Sequence, residues 1–400
     1  MSEKLPPPRD ARIASIDIVR GAAMVLMAID HVRVYSGLPA GGPTFGIFFT
    51  RFVTHFCAPA FVFLAGTSAF LYGRKREHGE GLSRFLLTRG LWLVFLELTI
   101  LRVAWTFNFD FLEYEMAGVI WAIGWCLVLM AALVKLPLAA IAAIGLAIVA
   151  GHDLADPHLR TLVPTLANGG FGGLWKILYL GFFAGPIRFG EDGPSLIVLY
   201  SIVPWIGVMM TGYAFGKIVT LEPARRRRQC LAIGLGATAL FLLLRGFDLY
   251  GDPRPWRSAG PMPAVYAFLS PNKYPASLSF LLMTLGPTIA LVPVLESARG
   301  AVARWLTVFG RVPFFYYLLH IPLIHALALV VSLLRTGEVS PWLFENHPMG
   351  NGAAPDGYAW TLSWLYATWA VTVVALAFPC RWFADLKARK KKDAAWLGYL

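Results

Sequence analysis

An arginine and a histidine stand eleven residues apart in "RGAAMVLMAIDH", residues 20 to 31. On an α-helix that interval is close to three turns, so both side chains share one face, about 16 Å apart along the axis. The stretch between them is apolar and reads as membrane-spanning. A charged group inside such a span costs a few kcal/mol and marks a function by default. Histidine takes or releases a proton near neutral pH, which suits His31 for general-base work. Asp17 lies three residues before Arg20 on the same stripe and can pair with it. The candidates to orient the imidazole are Asp30, about a quarter-turn from His31, and further along the chain His55 and Glu97. The plainer reading is that Asp17 and Arg20 form a structural pair and His31 is an interfacial polar residue.

A second set follows in "FFTRFVTHFCAPAFVFLAGTSAFLYG". Arg51 and His55 are four residues apart and share a helix face. His55 is expected roughly 12 Å below the outer surface and His31 roughly 6 Å, so the two meet one site if their spans pack together. Pro59 is expected to kink this helix, and the small residues of "LAGTSA" permit close packing. Glu97 and Arg102, in "LWLVFLELTILRVAW", face different directions, each toward another helix. His320 and His325, in "FFYYLLHIPLIHAL", are about 140° apart on an ideal helix, a poor arrangement for two ligands of one metal. Cys57, Cys126, Cys230 and Cys380 are scattered through apolar segments with no CxxC spacing, so no metal, disulfide or redox chemistry is indicated. The candidate catalytic group is therefore His31 with Asp30 and His55. The candidate substrate contacts are Arg20, Arg51, Glu97, His320 and His325.

The elements that must position these residues are membrane spans. Of 400 residues, 57% are hydrophobic and 14% charged, and mean hydropathy is +0.61. Soluble domains carry about a quarter charged residues. Runs such as "LAAIAAIGLAIVA" lack the alternation of barrel strands, so the fold class is all-α, a polytopic transmembrane helical bundle. Spans are expected near 13–35, 46–72, 85–107, 117–134, 136–151, 195–216, 229–246, 277–296, 306–334 and 359–380. The stretch 171–186 is short for a span and suits an interfacial or re-entrant piece. Counting it would give eleven spans and put "RRRR" at 225–228 outside. Ten spans with both termini cytoplasmic keep it, "RKR" at 74–76 and "ARKKK" at 388–392 inside, as the positive-inside rule asks. The domain reading is an N-terminal cytoplasmic segment 1–12, one membrane domain 13–384 and a basic tail 385–400. The first apolar run reads as a retained span with no small-residue cleavage site. The net charge of +12 is explained by topology, and nucleic acid is not an expected partner. The longest connections, 152–194, 247–276 and 335–358, lie outside, where recognition is expected.

Arg-x10-His in the first span resembles the signature of the membrane-bound acyltransferases of acyltransferase family 3. The wider stretch "SIDIVRGAAMVLMAIDHVR", followed by "APAFVFLAGTSAFLYG", is similar to the group containing heparan-α-glucosaminide N-acetyltransferase and its bacterial homologues. That likeness extends through "GRVPFFYYLLHIPLIHAL". The resemblance implies that His31 is the catalytic histidine and that Arg20 supports the acyl-donor path. The lysosomal enzyme's active histidine precedes its second span. The corresponding stretch here, "SGLPAGGPTFGIFF", has none, which favours the family-3 assignment of His31.

The expected function is an integral membrane acyltransferase of a bacterial inner membrane, with no tightly bound cofactor. It takes an acyl group from acyl-CoA, most simply acetyl-CoA, to a hydroxyl or amine of a carbohydrate or envelope-glycan acceptor at the outer side, directly or through an acyl-histidine. Its partners are the lipid bilayer, the donor, the acceptor and possible further copies of itself. The alternative is a transporter using the buried Arg, Glu and His residues as a relay. Transporters often show internal repeats, and none is evident here. A scaffold whose polar groups only tie helices together is the third reading.

Overall fold

Long apolar runs leave the backbone no partner but itself, and this chain answers with helices. The computed structural model describes residues 13–75, 81–112, 114–191, 193–258, 260–348 and 354–389. The expected segment 1–12 and residues 390–400 of the expected tail lie outside the described residues, as does part of the loop 346–357. About 74% of the described residues are helical.

Helix α1 (Ala14–Ser36) is followed by α2 (Phe45–His55) and α3 (Cys57–Arg74), which continue one another as a single 30-residue rod. Helix α4 (Leu82–Leu96), a π turn at Glu97–Leu101 and α5 (Arg102–Thr106) make the next rod. Then come α6 (Val119–Leu133), α7 (Leu138–Gly151), α8 (Asp156–Asn168), α9 (Gly172–Trp175), α10 (Ile202–Val219), α11 (Pro223–Gly246) and α12 (Ala264–Phe268). Helices α13 (Leu278–Leu295), α14 (Ala301–Arg311), α15 (Pro313–Thr336) and α16 (Leu362–Arg389) complete the order. A small sheet sits among the connections, with β1 (Glu115–Ala117) parallel to β3 (Ser195–Val198) and β2 (Ile187–Arg188) antiparallel to β3.

Among the described residues, seven helical rods are long and apolar enough to cross a membrane. Helix α1, the α4–α5 rod and α6 pack with them, and successive rods run in opposite directions. Arg20 meets Ser68 at one end of the α1/α2–α3 pair, and Asp30 meets Arg51 at the other. Glycines set the α7/α10 pair: Gly145 lies against Met210, and Gly207 against Ile148. These two rods are thus antiparallel, so residues 152–201 leave and re-enter the bundle at one end. Residues 171–186 form short helical turns there.

Four expected boundaries are corrected. The run 306–334 is broken at Val312 (φ −134, ψ 51) because Pro313 follows. Proline disfavours helical backbone in the residue before it and starts a new helix well. The freed helix α14 lies flat against α1, where a Cβ on Gly21 would stand 1.9 Å from the Leu306 carbonyl oxygen and one on Gly310 1.8 Å from that of Asp17. Residues 195–198 are strand, so that span starts at Ile202. Helix α11 starts at Pro223, since the Glu222 carboxylate accepts the Ala224 and Arg225 N–H groups and draws "RRRR" into the helix. Helix α16 runs to Arg389, into the segment expected to be tail. The kink expected at Pro59 falls at Phe56, between α2 and α3. Pro59 itself sits in the first turn of α3, where its missing N–H leaves no bond unmade.

Candidate active site

Helix α1 carries His31 one turn and a half before its C-terminal glycine, and α15 carries His320 below Pro322. The two rods bring the rings together, with His31 Nδ1 at 2.6 Å from His320 Nε2 and ring centroids 4.7 Å apart. His320 is fully buried. Its Nδ1 lies 2.7 Å from the Tyr317 carbonyl oxygen and 3.2 Å from that of Tyr316. Carbonyl oxygens only accept, so His320 Nδ1 carries the proton and its Nε2 has a lone pair. His31 Nδ1–H must then donate to His320 Nε2, which leaves His31 Nε2 bare and basic. The tautomer follows from the hydrogen-bond network. Trp105 meets the His31 ring edge-on at 4.9 Å and limits its rotation. His31 is only half-buried, so its free nitrogen can be reached.

Beside it lies a charged cluster. Asp30 accepts from Arg33 Nε at 2.8 Å and from Arg51 Nη1 at 2.9 Å. Asp30 is thereby committed to two arginines and makes no hydrogen bond to the imidazole it was expected to orient; His320 fills that place. Tyr274 and Tyr200 lie within electrostatic reach of Arg51. Lys273, on the loop before α13, is 7% exposed, with its ammonium 5.2 Å from the Tyr274 ring centroid and 5.9 Å from that of Tyr200. It is within electrostatic reach of Asp30, His31 and His55.

The other expected site residues are spread out. Arg20 braces three rods at the opposite end of α1: Nη2 donates to Ser68 Oγ at 2.8 Å, and Nη1 to the Gly310 carbonyl at 3.2 Å and to Asp17 at 3.4 Å. His55 is buried edge-on to Phe280 at 5.5 Å, shares the electrostatic field of Arg51 and Lys273, and does not bond His31. His325 is sandwiched by Phe107 at 3.9 Å and Tyr35 at 4.7 Å, and its Nδ1 lies 3.3 Å from the Ala104 carbonyl oxygen. Glu97, expected to contact substrate, is 2% exposed; its Oε1 lies beside Gly118 at the start of α6, and its Oε2 is buried without a hydrogen-bond partner. It stands at the N-terminus of α6, where a carboxylate suits the helix dipole. Arg102, expected to pair with another helix, folds onto its own downstream loop through Thr106, Asn108, and the Asp110 and Tyr114 carbonyls.

Sequence reasoning missed His320 as the partner of His31, and missed Arg33, Lys273 and the two tyrosines altogether. Arg33 was legible in principle, three residues after Asp30. Lys273 sits in "SPNKYPAS", which has the composition of a turn, and only burial sets it apart.

A bundle of antiparallel apolar rods with two histidines in contact at one end is the frame of a polytopic membrane protein. Residues 12–247 match the family described as heparan-alpha-glucosaminide N-acetyltransferase, catalytic. The match spans more than half of the 400 residues, and the chain belongs to that family of membrane acyltransferases. No curated protein matches the chain. The matched segment holds Arg20, Asp30, His31, Arg51, His55 and Glu97; Lys273 and His320 lie beyond it.

Proposed function

We propose that the protein transfers an acetyl group from acetyl-CoA to a hydroxyl or amine of a carbohydrate or envelope-glycan acceptor, with His31 as general base at the outer end of α1. The observation that carries this reading is the 2.6 Å contact of His31 Nδ1 with His320 Nε2, which leaves His31 Nε2 free. The acceptor O–H or N–H gives its proton to Nε2 as its heteroatom attacks the thioester carbonyl carbon. The C–S bond then breaks, and the proton passes from His31 to the departing CoA sulfur. His320 holds the tautomer and accepts hydrogen-bond density from the imidazolium, as an orienting group does in a nucleophile–base pair. The donor approaches from the end of the bundle that carries "RRRR", where basic groups attract a polyanion. The test is purified protein in liposomes with labelled acetyl-CoA and envelope extract. Mass spectrometry should find acetylated glycan with wild type and none with His31→Gln. Solute flux without consumption of acetyl-CoA would identify a transporter instead.

A further inference from the structure

We propose that Lys273, Arg51 and Arg33 form a subsite beside His31 for an oxyanion, a phosphate or a carboxylate, carried by the acceptor. The inference rests on the reading of His31 as the base, and it stands on four observations. First, three cations face a single carboxylate: Asp30 is shared between Arg33 and Arg51, and Lys273 is left over. Second, among the described residues the Lys273 ammonium makes no ion pair and no hydrogen bond; the faces of Tyr200 and Tyr274 lie beside it, and the carboxylate within electrostatic reach, Asp30, is already held by two arginines. A largely buried ammonium without an ion pair is costly, and cation–π contact offsets only part of that cost. Third, the nearest acid along the chain is already engaged, since Asp252 accepts from Asn272 N at 2.8 Å and pairs with Arg245 at 3.3 Å. Fourth, each guanidinium has five N–H donors. Arg51 gives one to Asp30, so further donors remain for a ligand. Arginine forks and a lysine point charge together suit phosphate and carboxylate. The excess charge sits within electrostatic reach of His31, where the acceptor must come.

The test uses the full chain in phosphatidylcholine nanodiscs. Inorganic phosphate, titrated at constant ionic strength, should raise the thermal midpoint of wild type and not of Lys273→Met, because a ligand that binds only the folded state stabilises it. Lys273→Met without phosphate should be at least as stable as wild type, since it removes an unpaired buried charge. Lys176→Met, on an exposed lysine that bonds the Pro186 carbonyl, should respond to phosphate as wild type does. A phosphate effect that survives Lys273→Met, or a large loss of stability in that variant alone, overturns the subsite. Acetyl transfer is then compared between glucosamine 6-phosphate and glucosamine. The kcat/KM ratio should favour the phosphate by about tenfold, fall to parity in Lys273→Met and be kept in Lys273→Arg. Equal use of both sugars overturns the acceptor assignment and leaves the acyltransferase reading intact. Transfer to neither, with the Lys273-dependent phosphate effect present, supports the subsite and removes that reading. Replacing phosphatidylcholine by phosphatidylglycerol separates the remaining source. If it reproduces the stabilisation through Lys273 and silences added phosphate, the oxyanion is a lipid headgroup and the acceptor assignment falls.

Discussion

The two ends of α1 carry polar groups of the same kinds and treat them in opposite ways. At the N-terminal end Arg20 donates to Ser68, Gly310 and Asp17, across two glycines that let α1 and α14 touch backbone to backbone. At the C-terminal end the groups are poised and unspent: His31 keeps one bare nitrogen, and Lys273 keeps an ammonium without an ion pair. A satisfied buried charge holds a fold together. A buried polar group left incomplete is tolerated where a ligand or a transition state completes it. The difference assigns the brace to one end and the chemistry to the other.

That division can be broken in four places. The largest effect is expected from His31→Gln, which keeps size and hydrogen bonding but cannot accept the proton. Acetyl transfer should fall at least about a hundredfold, within the range of general-base help, while the protein stays folded by gel filtration and thermal unfolding. His320→Phe should follow with a loss of about ten- to a hundredfold, because His31 is then free to adopt either tautomer. His320→Gln, whose amide oxygen still accepts from His31 Nδ1, should restore much of the rate. A His320→Phe enzyme with wild-type rate would reduce the pair to packing.

Arg20→Met sharpens the contrast from the other end. It should lower stability by about 3 kcal/mol, since it leaves Asp17 without its arginine, and the companion Asp17→Asn should restore part of that stability. The rate per folded molecule should hold in Arg20→Met. A rate loss at retained fold would place Arg20 on the donor path that the family resemblance implies. The smallest effect belongs to Glu97→Gln, which keeps an acceptor beside the α6 N-terminus and should cost about 1 kcal/mol with little change in rate. A hundredfold rate loss there would return Glu97 to the site.

Much of the frame was legible in residues 1–400 because apolar runs admit only one backbone solution in a bilayer. The positions of α1, the α2–α3 rod, α6, α7 and α13 differ little from their expected bounds. The break at Val312 was hidden by an apolar run that continues through Pro313, since hydropathy does not register a missing N–H. Arg20 and His31 could be named from one helix, because both lie on it and their spacing places them on one face. The partner of His31 could not, because 289 residues separate it from His320 and several histidines were equally plausible. Glu97 misled for a related reason: a carboxylate in a span reads as functional until the helix terminus beside it is seen. Lys273 was invisible for the opposite reason, as a lysine in a polar loop draws no attention until its burial is known.

The contact with His320 implies that His31 carries its proton on Nδ1 and its lone pair on Nε2. The most direct measurement is ¹⁵N NMR of selectively histidine-labelled protein in nanodiscs, with the His31 signals assigned by their absence in His31→Gln. The account predicts a neutral ring with Nδ1 protonated, Nε2 unprotonated and a proton shared between Nδ1 and His320 Nε2, all lost in His320→Phe. A His31 ring protonated on Nε2 in the wild type, or a tautomer unchanged by His320→Phe, would contradict it.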